Sequence, residues 1–205
     1  MKKLLILSIF LFSQLLYSQN DEVIILEEVI INNSFNENNY SSRKIKNKEK
    51  SKELFSISND YAFITKVIDP NIIGDLKTVE FFFDKIKEEN DKDVFFELVL
   101  LTENNDLEPG ESLTNKPFLF KINNKKKNSI KLDLHKYKVF IDKPFFIGLR
   151  KIKDSDKYDF KIFLVESNKF SSGIYINIKN EKWLKPPNFK NNTIKINIEI
   201  NKPEN

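Results

Sequence analysis

The sequence predicts an all-β fold, an antiparallel β-sandwich of jelly-roll or Greek-key type, and three observations carry that expectation. Short runs alternate apolar and polar residues at period two. The cleanest is "TIKINIEI", with Ile194, Ile196, Ile198 and Ile200 on one side and Lys195, Asn197 and Glu199 on the other. Turn chemistry punctuates these runs, as in "DPNIIGD", "LEPGESLTN" and "KDSDK". From residue 54 onward no run carries the 3.6-residue period of an amphipathic helix. Strands with one buried and one wet face are the antiparallel habit, and two such sheets closing on a shared apolar filling make a sandwich.

The chain opens with "MKKLLILSIFLFSQLLYSQ": two lysines, an apolar run and a small residue, Ser18. That is the layout of a secretory signal peptide over residues 1–18. A helix over residues 4–16 would rise about 20 Å at ~1.5 Å per residue, short of a ~30 Å hydrocarbon core. After cleavage no transmembrane span is expected, and the protein is expected in the periplasm or at the outer-membrane surface of a Gram-negative bacterium. The chain has no Cys, which rules out a cysteine lipid anchor, disulfides, a thiol nucleophile and thiolate metal sites.

The second element, residues 19–31, repeats an acidic-then-aliphatic phrase, "EVII" twice, and reads as a β-strand segment. Residues 32–53, Asn- and Lys-rich and without periodicity, read as a flexible polar tether, with a solvated helix over residues 43–53 as the alternative. The sandwich is assigned to residues 54–201. Within it "DYAFITKVI" reads as a strand, and "LKTVEFFFDKI" sets Val79, Phe81 and Phe83 on one face. "DVFFELVLL" is apolar on both faces and suits a central position. "PFLFKIN" follows, then "SIKLDLHKYKVFI" with Ile130, Leu132 and Leu134 inward. "KPFFIGLRKI", "YDFKIFLVE" and "SGIYINIK" complete the set before the last strand, with Tyr175 and Asn177 on the polar side of theirs.

Charge narrows the function. The 34 basic and 30 acidic side chains give +4, and losing Lys2 and Lys3 with the leader leaves +2. Positive charge is almost all lysine; the two arginines are Arg43 and Arg150. Nucleic-acid binders cluster basic residues and use the Arg fork, so no nucleic-acid partner is expected. An outer-membrane barrel is disfavoured, because "DVFFELVLL" offers no polar lumen face.

The segments "YAFITKV", "LEPGESLTN", Asp133-Leu134-x-x-Tyr137 and Phe146-Ile147-Gly148-Leu149 resemble an uncharacterised module of exported bacterial proteins. That module often follows a carboxypeptidase-regulatory-like β-sandwich. The resemblance covers residues 61–152, reaches toward Ile200 past Trp183, and implies a sandwich and a surface location without a catalytic signature. "LEEVII" also resembles the box by which outer-membrane receptors engage TonB. That implies docking by strand addition through Glu28, Val29, Ile30 and Ile31; the plainer reading pairs this ribbon with an edge of its own domain.

Candidate chemistry is sparse. His135 is the only histidine and stands near Asp133, but on a strand both face solvent and no triad is expected. Paired carboxylates for glycoside hydrolysis need a facing geometry that the scattered acids do not announce. Two loops carry hard oxygen ligands suited to Ca2+: Glu103, Asp106, Glu108 and Glu111 in one, Asp154, Asp156 and Asp159 in the other, neither with EF-hand spacing. Otherwise no cofactor is expected. Trp183, the sole tryptophan, precedes Pro186-Pro187 in a loop, where an indole can stack on a sugar ring with Tyr175 extending the platform; the competing role is a lid on the core. The reading is a non-catalytic binding module of the envelope that engages a glycan or an envelope protein. The alternative is an accessory of an outer-membrane transport or receptor assembly docking through its N-terminal strand, with a carboxylate-based glycoside hydrolase third.

Overall fold

The structure, a computed structural model, describes residues 42–46, 53–69, 72–84, 94–122, 128–152, 160–168, 170–178 and 182–202. The leader, the N-terminal ribbon with Glu28 to Ile31, and the second acidic loop with Asp154, Asp156 and Asp159 lie outside the described residues.

Fourteen strands are described: β1 Ser42–Lys46, β2 Glu53–Ile57, β3 Tyr61–Val67, β4 Gly74–Phe82, β5 Val94–Glu103, β6 Pro109–Ser112, β7 Phe118–Ile122, β8 Ser129–Asp133, β9 Phe140–Ile141, β10 Phe145–Lys151, β11 Phe160–Glu166, β12 Ser171–Ile178, β13 Asn192–Ile194 and β14 Ile196–Asn201. No α-helix occurs among the described residues, only two 3-10 turns, His135–Tyr137 and Pro187–Phe189. One layer is a six-stranded sheet, β12-β3-β10-β5-β6 with β7 also on β5. Facing it are a five-stranded sheet, β1-β14-β4-β8 with β9 on β4, and a three-stranded sheet, β13-β11-β2. The two smaller sheets meet at the Phe83–Ile162 bridge and at the Asp84 amide, which donates to the Lys161 carbonyl at 2.8 Å. The strand ladders are all antiparallel, and the chain repeatedly crosses between layers. This is the predicted antiparallel β-sandwich.

One buried apolar cluster fills the space between the layers. Phe96 of β5 meets Phe160 of β11 at 4.6 Å between ring centroids, and Phe63 of β3 meets Phe55 of β2 at 4.9 Å. Both pairs join opposite layers, with offsets favourable for aromatic contact. In β4 the register shifts opposite Glu199–Ile200, so Leu76 faces inward along with Val79 and Phe81. A bulge of this kind resets the alternation of a strand by one residue. In β12 the shift falls at Gly173, whose φ of +66° suits glycine.

Two expectations change. The tether was expected to run through residue 53, but Ser42–Lys46 is β1, an edge strand antiparallel to β14. Only Ile45 is apolar and buried; Arg43, on the same side, pairs with the buried Asp69 at 2.5 Å, while Ser42, Lys44 and Lys46 face out. A lysine-edged strand with a single core residue protects its own edge and gives no hydrophobic period to read. The last run, "TIKINIEI", is split at Lys195: β13 pairs with β11 and β14 with β4, and all four isoleucines stay buried.

Central β10 sets the tolerances. A Cβ on Gly148 would lie 1.8 Å from the Phe63 carbonyl oxygen of β3. Gly148→Ala therefore forces β10 and β3 apart. It is expected to cost more than the ~1–3 kcal/mol usual for overpacking, whereas Phe96→Ala should cost about 3–5 kcal/mol. Urea titration of both variants checks the order; a Gly148→Ala midpoint equal to that of the parent protein would refute the close approach.

Candidate functional site

The six-stranded sheet turns one face into the core and the other outward, and the outward face is not polar throughout. Ala62 and Ile64 of β3, Val99 of β5, Phe146 of β10 and Tyr175 of β12 form a second buried apolar cluster, with Leu101 and Trp183 partly buried against it. Cross-strand pairing orders them into rows. Leu101 lies beside Phe146, which lies beside Lys66; Val99, Gly148, Ile64 and Tyr175 form the next row; Glu97, Arg150, Ala62 and Asn177 the third.

The loop carrying Trp183 covers one side of this face. Leu184 exchanges both backbone hydrogen bonds with Ile176 of β12 at 2.8 Å, and further along Phe189 packs edge-on against Phe55 at 4.9 Å. Pro186 and Pro187 stiffen the chain between these anchors, Pro187 opening the 3-10 turn. Lys185 holds its ammonium 5.2 Å above the Tyr175 ring, and Phe146 meets Tyr175 edge-on at 5.1 Å. Tyr175 is thus buried beneath the loop and does not extend an exposed aromatic platform. Trp183 lids an apolar cluster, the outer one, and its remaining surface borders a groove.

That groove, of about 430 Å3, runs over the outer face between Trp183 and the residues 110–117 that follow β5. Leu101, Val99, Glu97, Arg150 and Asn177 line it, with Thr114, Asn115 and Lys116 on the far rim. Its size falls in the range of small-molecule sites, ~300–1,000 Å3. Arg150 donates from Nη1 to Glu97 Oε2 at 2.8 Å, with both side chains about three-quarters covered. Nearby, Lys66 and Glu103 form a second ion pair across Phe146. Trp183 is the one sequence-predicted contact residue that the structure places at this groove. Arg150, Glu97, Asn177 and Lys116 were missed, although the rarity of arginine in so lysine-rich a chain was a signal.

The other candidates do not assemble. Glu103, Asp106, Glu108 and Glu111 share a loop, yet among the described residues no group of three or more acidic or histidine side chains is placed to hold a metal. Glu103 is committed to Lys66, and the turn is built by Asn104, whose Oδ1 accepts the Asp106 and Glu108 amides at 3.0 and 2.9 Å. With Leu107 at φ +62°, the acids splay outward. His135 does not continue a strand. It begins the 3-10 turn, exposed, and its amide donates to Asp133 Oδ1 at 2.9 Å. The Asp133-Leu134-x-x-Tyr137 phrase is structural: Leu134 is buried, and Tyr137 packs on Phe118 at 4.7 Å.

Comparisons with protein-family models, curated proteins and solved structures return no match.

Two outcomes follow from these placements. Asn104→Ala removes two side-chain hydrogen bonds and should cost about 1–2 kcal/mol, while millimolar Ca2+ leaves the Tm of the parent protein unchanged, as thermal melts will read. Burial pushes the Tyr137 phenol above its ordinary 10.0. The neutral form is thus favoured in the fold, and its contribution is complete below pH 10 and lost as pH rises through the folded value. Tyr137→Phe should lose less stability than the parent protein across that alkaline window in pH-dependent urea melts; parallel curves would count against burial as the cause.

Proposed function

We propose that this protein is an exported, non-catalytic glycan-binding module of a bacterial envelope, with the groove on the outer face of the six-stranded sheet as its binding site. The observation that carries the reading is Trp183, next to Leu184 paired with β12 and packed on the outer cluster, as one wall of a groove whose other walls present an arginine, a carboxylate, amides and hydroxyls. Sugars offer apolar C–H faces and a ring of hydroxyls. An indole suits the first, and planar amide, guanidinium and carboxylate groups suit the second. Because the indole is held in place before any ligand arrives, little side-chain freedom is lost on binding.

The absence of catalysis is part of the same reading. Hydrolysis by carboxylates needs two acids flanking the bond. Among the described residues Glu97 is the sole carboxylate lining the groove, and Arg150 engages it. The leader-like N-terminus fits a chain that works outside the cytoplasm.

Affinity electrophoresis in gels containing soluble polysaccharides, with pull-down on insoluble ones, tests the reading. At least one polysaccharide should retain the protein, and Trp183→Ala should weaken that retention about tenfold, equivalent to ~1.4 kcal/mol. Unchanged retention of Trp183→Ala on every retaining polysaccharide would remove the groove as the site.

A further inference from the structure

We infer that the glycan taken by this groove is acidic, a chain bearing uronate carboxylates, recognised by Arg150 at the floor with Lys116 at the rim; the inference rests on the glycan-binding reading above. Arg150 comes from β10, where the outward alternation Phe146, Gly148, Arg150 passes from an aromatic through a bare backbone position to a cation. The guanidinium lines the groove beside Glu97, with Val99 and Leu101 further along the same floor.

The state of that guanidinium points to the ligand. Its one hydrogen bond among the described residues runs from Nη1 to Glu97 Oε2, and Nε has no partner there. An arginine carries five N–H donors in a planar fork, which matches a carboxylate held by two parallel bonds. Glu97 takes one donor and fixes the plane of the group; with Nε buried, Nη2 is the donor left for a second anion. A carboxylate already on the guanidinium also offers an acceptor to a neighbouring sugar hydroxyl.

Beside the neutral Glu97–Arg150 pair, the one further charged side chain that lines the groove is a cation: Lys116, exposed on the far rim. The lining thus carries one more cation than anion, and a largely covered guanidinium beside it favours an anion over a neutral ligand of the same shape. The indole supplies what a free carboxylate would not use, a flat apolar surface for the sugar ring bearing the acid.

Titration calorimetry on protein purified from the full-length chain decides the matter, with oligogalacturonides, alginate oligosaccharides and hyaluronan fragments, each beside its carboxyl-blocked methyl ester, and with neutral gluco- and xylo-oligosaccharides. At least one acidic series should bind. Its methyl ester should bind about tenfold or more weakly, and affinity for the acid should fall as salt rises. Arg150→Gln should abolish the preference for acid over ester. Lys116→Gln, a change at an exposed rim, should reduce acid affinity a few-fold without altering the melting curve; it keeps the test decisive if Arg150→Gln does not fold. Equal binding of acid and ester, tightest binding to neutral oligosaccharides, or salt-independent binding would overturn the acidic assignment and leave the glycan-binding reading standing. Binding by no saccharide of either kind would overturn both.

Discussion

Strand β10 lies between β3 and β5, hydrogen-bonded on both edges, with apolar residues on both faces, and at Gly148 the backbone of β3 comes so close that no side chain fits. Much else follows from that confinement. A strand covered on two faces must find two sets of neighbours. Phe145, Ile147 and Leu149 find theirs in the core between the layers. Phe146 finds Ala62, Ile64, Val99 and Tyr175 on the outside, a patch that remains too apolar to leave bare. The loop of Trp183 covers part of it, and the groove occupies the part that the loop does not reach.

Each arginine of the chain is placed where a lysine would serve less well. Arg43 ties edge strand β1 to Asp69, a carboxylate 1% exposed, and so gives a strand with a single core side chain a second point of attachment. Arg150 ties the groove floor to Glu97 with a planar group that stays oriented. A carboxylate taken out of water is costly unless a cation meets it; Arg43 meets Asp69 as a close ion pair, and Arg150 meets Glu97 with a directional hydrogen bond. The exposed lysines, by contrast, set only local potential and solubility.

How much was legible follows the distribution of apolar residues. Strands β3, β4, β5, β10 and β12 bury a full alternating face, and their hydrophobic period announced them in the expected order. Strand β1, with one buried isoleucine, and β6, opening on a proline in the acidic turn, bury too little to produce a period. The split of the final run at Lys195 was invisible because alternation passes through it unbroken; only the change of partner from β11 to β4 marks it. At the site, alternation placed Tyr175 on the outward side of β12, and correctly so, but took outward to mean wet. Whether an outward face is wet depends on what folds over it, and the Ile176–Leu184 contact that brings the loop there is a tertiary one, with no local signature.

The same contact explains why Trp183 was read two ways. Pairing of Leu184 with Ile176 sends that loop along the edge of the six-stranded sheet, and alternation then directs neighbouring Trp183 onto the outer face while Leu184 stays exposed. An indole in that position both excludes water from Phe146 and Tyr175 and stands as a wall over Arg150. The two placements are one geometry: the packing that keeps water from the outer cluster also fixes the ring at the border of the groove. A groove of this origin sits where sheet curvature and loop cover leave the outer face incomplete. Its floor belongs to strands β5 and β10 and cannot shift without breaking their ladder, whereas the loop that walls it is held to β12 by a single bridge.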